Sequence, residues 1–367
     1  MKVLHLISGG ETGGSKNHLL SLLSKMKQDD IFLGVFQEGK LSEEAKELGI
    51  PLFVFSQKSR YDFSILKQIK KVIREHAIEI VHTHGPRANL FTYFLTRDLS
   101  FKWVTTIHSD PTKDFIKGGL KGKIFTSINM HVIKRIEHFF AVSQRFTEMV
   151  AGFGIAKERI TTIYNGIDFE HEPKETITRA DLNIKADEFV VCMIARLHPI
   201  KGHTVVFEAM QELKAAGVQL RLLLIGDGPL YDDLKTEVQQ KGLENDIEFL
   251  GFQEDVDSFL LLSDVKLLAS YSESFPLVIL EAARSRVPVI STDVGGVKEL
   301  IADPSLGWVI PPRSPQAIAS SIKEAIVLKD KGELKGMGEH LYDKASTNYS
   351  IEQLMEQICK TYKKILS

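Results

Sequence analysis

The sequence predicts an α/β protein built from two doubly wound, mostly parallel-sheet domains. Three observations carry this. The chain has 367 residues, enough for two ordinary domains with sizeable cores. Short apolar runs, many of them β-branched, alternate with stretches of helical periodicity, the signature of strand–helix–strand units. The alternation breaks once, from the Tyr164-Asn165-Gly166-Ile167-Asp168 turn to about Arg179, where the chain is charged and poorly periodic. That break reads as a linker.

In the first half, residues 2–8 (KVLHLIS) form a buried strand that ends in the glycine-rich turn Gly9-Gly10-Glu11-Thr12-Gly13-Gly14. Ser15 is the expected cap of a helix over 16–27. Further strands are predicted at 31–36, 51–55, 78–82, 103–108, 138–142 and 159–163, with helices filling most gaps, as over 64–76. In the second half, strands fall at 189–194, 221–225, 247–250, 265–269, 289–292 and 308–310. Helices are expected near 203–215, 230–241, 256–262, 276–284, 297–301 and 315–328, and an amphipathic helix over 351–366 ends the chain. The domains predicted are 1–168, with 351–367 packing on it, and 169–350. Two such domains, with ligands at the carboxyl ends of their strands, imply a deep cleft.

Composition narrows the function. At 43% apolar and 26% charged the chain is that of a soluble globular protein, and a net charge of −2 gives no reason to expect nucleic acid. Cys192 and Cys359 are far apart and no paired spacing occurs, which fits a reducing, cytoplasmic setting and argues against zinc. The start MKVLHLISGG is too short in its apolar run for a secretory signal, and no window is apolar enough to span a membrane. Contact with a membrane would come from the surface.

The stretch Ser270-Tyr-Ser-Glu-Ser-Phe-Pro-Leu-Val-Ile-Leu-Glu-Ala-Ala283 reads as a polar turn after a strand, then a helix opening at about Pro276. Its N-terminus runs through Phe275, Pro276, Leu277 and Val278 and, Pro276 having no N–H, offers the backbone donors of the other residues to an anion such as phosphate. Glu273 precedes the helix and Glu281 lies inside it, so one carboxylate can face the phosphate end of a ligand and the other its hydroxyls. An ordinary buried strand and capped helix is the alternative. In Ala195-Arg196-Leu197-His198-Pro199-Ile200-Lys201-Gly202, Arg196 and Lys201 follow a strand and can converge on a diphosphate, or simply be a solvated basic loop. Gly226-Asp227-Gly228-Pro229 closes the next strand, either as turn punctuation or as a seat for a base. Gly13 and Gly14 permit close backbone approach to a phosphate, yet no G-x-G-x-x-G or G-x4-G-K-[ST] can be placed there. His108 ends a strand and so points toward the cleft, although a strand-end histidine is more often structural, and the same holds for His82 and His84. No G-x-S-x-G or H-E-x-x-H occurs. Lys113, Lys117, Lys121, Lys123, Lys134 and Arg135 interleave with Phe115, Ile116, Leu120, Ile124, Phe125 and Ile128, so the basic segment 113–135 is either a solvated face or a membrane-facing element.

Together these residues resemble the retaining glycosyltransferases of family 4, a GT-B family of bacterial mannosyl-, glucosyl- and N-acetylglucosaminyltransferases. The resemblance covers nearly the whole chain. It rests on Glu273-x7-Glu281 with the intervening Ser-Phe-Pro-Leu-Val, Arg196 and Lys201-Gly202, Asn165-Gly166-Ile167-Asp168, Gly226-Asp227-Gly228-Pro229, and Gly295-Gly296 before Glu299, in that family's pattern. It implies two Rossmann-like domains facing across a deep cleft, with the C-terminal helix crossing back to the N-terminal, acceptor-binding domain. It implies that Arg196 and Lys201 hold the donor diphosphate, that Glu281 binds the ribose, and that Glu273 and the backbone of Phe275 to Val278 contact the sugar and phosphates. Gly14 would approach the diphosphate and His108 would contact the sugar near the reaction centre. Ala195 stands where the family usually has Gly, and Ser109 where it often has an acid, which touches details of sugar selection. The implied reaction is front-face transfer with retention, without metal, from a UDP-sugar in preference to a GDP-sugar. The acceptor would be a glycan, a lipid-linked glycan or a small molecule, in polysaccharide or cell-envelope glycan biosynthesis. The enzyme would be cytoplasmic, with peripheral contact to the inner membrane face through segment 113–135. A sugar-nucleotide epimerase of the same architecture and an inactive partner of a transferase complex are the competing readings.

Overall fold

The computed structural model describes residues 1–11, 13–57, 59, 62–114 and 119–367; Thr12 of the glycine-rich turn and Phe115, Ile116 and Lys117 of the basic segment lie outside the described residues. The chain divides into two compact units, Met1–Asp168 with Ile351–Ser367, and Phe169–Ser350.

The first unit runs β1 (Val3–Ile7), α1 (Gly14–Lys25), β2 (Ile31–Val35), α2 (Lys40–Glu47), β3 (Leu52–Val54), α3 (Ile65–Glu75), β4 (Ile80–His84), α4 (Pro86–Leu95), β5 (Lys102–Ile107), α5 (Gly119–Ile133), β6 (His138–Ala141), α6 (Gln144–Gly152) and β7 (Ile160–Thr162). Its strands form a parallel sheet in the order β3-β2-β1-β4-β5-β6-β7. Strands buried on both faces need continuous apolar runs, and VLHLI in β1 is buried throughout. Helices need one apolar stripe. In α3, Ile65, Ile69, Val72 and Ile73 are buried while Lys67, Lys71 and Arg74 face water.

The second unit runs β8 (Phe189–Ile194), α7 (His203–Ala215), β9 (Leu220–Ile225), α8 (Tyr231–Gln240), β10 (Ile247–Gly251), α9 (Asp257–Leu261), β11 (Val265–Leu268), α10 (Leu277–Arg284), β12 (Val289–Thr292), α11 (Val297–Leu300), β13 (Gly307–Ile310), α12 (Pro315–Asp330) and α13 (Leu334–Asn348). Its sheet order is β10-β9-β8-β11-β12-β13, again parallel. Both sheets therefore reverse direction beside their first strand, between β1 and β4 and between β8 and β11. Loops on either side of such a reversal splay apart at the carboxyl ends of the strands and leave room for a ligand.

The last helix, α14 (Ile351–Leu366), belongs to the first unit. Ile351, Leu354, Ile358 and Tyr362 line one face of it and join the core formed with Val3, Leu19, Leu23, Ile80 and Phe140. At roughly 2 kcal/mol for each fully buried large side chain, these four hold the helix in place.

Two local details differ from the sequence reading. Helix α1 begins at Gly14 with Gly13 as its cap and Ser15 inside the first turn, because Gly13 takes a φ of 80° that turns the chain two residues earlier. Helix α13 forms where no helix is read from the sequence. Two of its four buried positions, Gly338 and Ala345, are small, so Leu334 and Leu341 alone give a weak apolar signal.

Candidate functional site

In the second unit, the loops after β8 and β11 flank the reversal point and carry the predicted diphosphate residues. The β8 loop leads through Arg196 and a single 3-10 turn, Pro199–Lys201, into α7. It is stitched to its neighbours by Leu197 N–H donating to Asp227 O at 3.0 Å, and by Tyr271 N–H donating to Ile200 O at 2.8 Å. The crossing needs glycine at two places. At Gly202 (φ 73°) a Cβ would lie 2.2 Å from Ala269 O, and at Gly226 (φ 140°) it would lie 2.0 Å from Ala195 O.

The side chains divide unequally. Lys201 Nζ donates to Glu273 Oε1 at 2.5 Å, and Ser270 Oγ donates to the same oxygen at 2.6 Å. Lys201 is thus a paired cation, which neither sequence alternative, a diphosphate contact or a solvated basic loop, included. The pairing ties the β8 and β11 loops together. Arg196 is exposed, and its guanidinium makes no hydrogen bond or ion pair among the described residues.

Helix α10 starts at Leu277 with Pro276 as its cap, one residue later than read, and Phe275, Pro276 and Leu277 are buried while Val278 is half-buried. Glu281, half-buried one turn in, has its carboxyl pushed above the usual carboxylate range by burial, with Arg284 and Lys266 opposing the shift. Lys266 was not a sequence candidate. It sits fully buried in β11, donates to Leu267 O at 2.7 Å, and burial brings its ammonium down to about 8. A lysine inside the apolar run VKLL was the available signal.

In the first unit, the loops after β1, β4 and β5 border a cavity of about 190 Å³. Glu11, His84, Asn89, His108, Asp114 and Asn129 are among its polar lining residues. The Glu11 carboxylate accepts from the backbone N–H of Ser8 (3.2 Å) and Gly9 (2.7 Å), which fixes the start of the glycine turn. Gly13 and Gly14 are exposed, with open space where a Cβ would sit. Asn129 Oδ1 is buried and has no hydrogen-bond partner among the described residues.

His108, half-buried, is one end of a histidine cluster. Its Nε2 lies 3.1 Å from His84 Nδ1, and its ring meets the edge of His18 with centroids 5.1 Å apart. His84 Nε2 in turn lies 3.1 Å from His5 Nδ1. His82, His84 and His108 are all held well below the ordinary histidine pKa, first by burial and then by neighbouring histidines; burial takes His5 down to about 3 and His18 to about 4. The rings are neutral near pH 7. Nitrogens of His5, His82 and His84 lie within 4.8 Å of one another, so these three could also hold a metal ion. Sequence reading found His108 but not His5 or His18. The alternation His82-Thr-His84 on a strand, which sends both rings to one face, was the visible hint.

The buried neutral rings make stability depend on pH. The unfolded chain binds protons on these histidines below about pH 6.5 and the folded unit does not, so stability is full above that value. It falls as pH drops toward the folded values of about 3 for His5 and about 4 for His18. Each ring is expected to remove about 1.4 kcal/mol per pH unit below about 6.5. Urea unfolding at neutral and mildly acidic pH measures this; equal midpoints would show that the rings titrate normally.

Two parallel sheets of this order, one in each of two units, are the fold of GT-B proteins, and the family models make the chain a glycosyltransferase of that type. The chain belongs to glycosyltransferase family 4: the Glycosyltransferase Family 4 model matches residues 12–171, and the Glycosyl transferases group 1 model matches residues 174–342. It is 27% identical to N-acetyl-alpha-D-glucosaminyl L-malate synthase of Bacillus anthracis, over 83% of this chain and 80% of that protein. It is also 27% identical to alpha-D-kanosaminyltransferase of Streptomyces kanamyceticus, over 82% and 81%. Among solved structures, Anabaena HepE in complex with UDP superposes with a TM-score of 0.87 at 22% identity, over 99% of this chain and all of that one. No helix among the described residues is long and apolar enough to cross a membrane.

Proposed function

We propose that this glycosyltransferase moves a sugar from a nucleoside diphosphate sugar, a UDP-sugar in preference to a GDP-sugar, with retention of configuration and without a metal. The second unit takes the donor and the first takes the acceptor: a glycan, a lipid-linked glycan or a small molecule of polysaccharide or cell-envelope synthesis. The observation that carries this reading is Arg196, exposed and without a side-chain partner among the described residues, on the same loop as Lys201, whose pair with Glu273 ties it to the segment leading into α10. Fixed cations and a helix N-terminus are what a departing diphosphate needs as its charge develops. HepE, of the same fold, has been solved with UDP and with UDP-glucose.

In this reading Arg196 and Lys201 hold the diphosphate, Glu281 binds the ribose, and Glu273 and the 275–278 backbone meet the sugar and phosphates. Gly13, Gly14 and Gly226 allow close approach to the donor, and His108 meets the transferred sugar. The leaving diphosphate accepts the acceptor's proton. Calorimetric titration with UDP, GDP and ADP tests the reading, repeated on Glu281→Ala. Micromolar binding of UDP, weakened in the variant, is expected; binding of none, or binding indifferent to Glu281, counts against it. Isomerisation of a sugar nucleotide without acceptor would favour an epimerase instead.

The exposed side chains of α5 favour a second, compatible reading, peripheral contact with an anionic membrane on the cytoplasmic side. Leu120 (77% exposed), Ile124 (54%) and Ile128 (41%) recur at helical spacing beside exposed Lys121 and Lys123. Lys121→Glu with Lys123→Glu is expected to abolish co-sedimentation with anionic vesicles, and unchanged sedimentation would retire the idea.

A further inference from the structure

Six side chains of the first unit form one hydrogen-bonded chain across the sheet face that α14 helps to cover. Thr106 Oγ1 lies 2.7 Å from His82 Nε2, and His82 Nδ1 lies 2.5 Å from Tyr362 Oη. Tyr362 Oη is 3.4 Å from His5 Nε2, the longest link. His5 Nδ1 to His84 Nε2 and His84 Nδ1 to His108 Nε2 are each 3.1 Å. All members except His108 are at most 2% exposed. His84 and His108 both line the cavity at the strand ends.

A neutral imidazole donates through one nitrogen and accepts through the other, so the protons of such a chain are ordered together. Three orderings satisfy every link, but the one in which Tyr362 accepts from both His82 and His5 strands the buried tyrosine proton, which leaves two that use it. The ends choose between them. The Thr106 hydroxyl has no other partner among the described residues, and if it accepted from His82 its own buried proton would be stranded. Running the other way pairs every proton of the five buried members and leaves only the Nδ1–H of half-buried His108 without a partner in the chain. Thr106 donates to His82 Nε2, His82 Nδ1–H to Tyr362, Tyr362 O–H to His5 Nε2, His5 Nδ1–H to His84 Nε2, and His84 Nδ1–H to His108 Nε2. Leaving one buried polar proton unpaired costs a factor of about ten in population, or about 1.4 kcal/mol.

We propose that this chain is a positioning device that holds His108 as the Nδ1–H tautomer, so that the ring presents a hydrogen-bond donor to a sugar oxygen and not a base to its proton. Its role in transfer rests on the reading that His108 meets the transferred sugar. Tyr362, His5 and His84 are then positioning residues, and α14 is part of the working structure of the first unit. The assignment suits a reaction in which the leaving diphosphate, not the histidine, takes the acceptor's proton.

Long-range ¹H–¹⁵N correlation spectra of the full-length protein labelled at histidine test the ordering directly, without any activity. The expected result is a protonated Nδ1 and an unprotonated Nε2 at His108. Tyr362→Phe keeps the ring and removes the hydroxyl at the middle of the chain, and should move both His108 nitrogens toward averaged shifts. Thr106→Val removes the end that sets the order and should do the same if the first variant does not fold. An Nε2–H His108 in the wild type, or unchanged shifts in a folded variant, overturns the proposal. So does a spectrum in which added Zn²⁺ shifts His5, His82 and His84 together, since the trio would then be a metal site. Once transfer is detected, Tyr362→Phe is expected to lower kcat about tenfold with donor KM unchanged; no loss in a folded variant overturns the positioning role. A wild type that transfers from no nucleotide sugar sinks the functional reading alone, and the spectra still decide the ordering.

Discussion

Arg196→Ala is expected to lower turnover from a nucleotide sugar by about 100-fold to 1,000-fold, the scale seen when one preorganised group facing developing charge is removed. Arg196 is the cation of this loop with no protein partner among the described residues, so its whole charge is available to a ligand. Lys201 differs because Glu273 already holds it at 2.5 Å. Losing Lys201 would also leave a carboxylate that is 16% exposed without its cation, held by the Ser270 hydroxyl, so Lys201→Ala should reduce stability as well as nucleotide binding, whereas Arg196→Ala should leave stability unchanged. Steady-state kinetics with thermal unfolding on both variants separates these effects. A turnover loss under about fivefold in Arg196→Ala would remove this residue from the leaving-group site.

The second large effect is structural. Gly226→Ala should destabilise the second unit by about 3 kcal/mol, since the new methyl would sit in hard contact and the backbone conformation suits only glycine. At φ 140° its Cβ would lie 2.0 Å from Ala195 O and 2.8 Å from Ala195 C, both backbone atoms that cannot rotate away. The strain falls next to Arg196, so donor affinity should fall together with stability. Urea unfolding of the variant, followed by nucleotide titration under conditions where it remains folded, measures both. A midpoint equal to that of the parent would mean that the β8 and β9 loops separate at little cost.

Much of this was legible in the sequence. Strand runs such as FVVCMI and LRLLLI declare themselves because both sheet faces are covered and every position is apolar or snorkelling. The linker break near 164–179 and the final amphipathic helix were visible as a loss and a return of periodicity. The residues of the proposed donor loops were also visible, because turn glycines, a basic pair and an E-x7-E spacing are local patterns. Helix α13 was not, because small residues such as Gly338 and Ala345 pack closely without raising local hydrophobicity.

Partners distant in the chain were beyond reach. Lys201 and Glu273 are 72 residues apart, and His82 and Tyr362 are 280 apart. Local periodicity states which residues share a face of a strand, as His82 and His84 do, but not which strand or helix lies opposite. That depends on sheet order and on where α14 docks. The sequence alone therefore determined the class of fold and the family, and it singled out the loops to which the proposed chemistry is assigned. Only the tertiary structure decided that Lys201 is a paired cation, that Arg196 is not, and that five buried neighbours order the protons of His108. Hydrogen bonds are directional and short, so their partners are settled by the packing of whole elements and not by the residues that flank them.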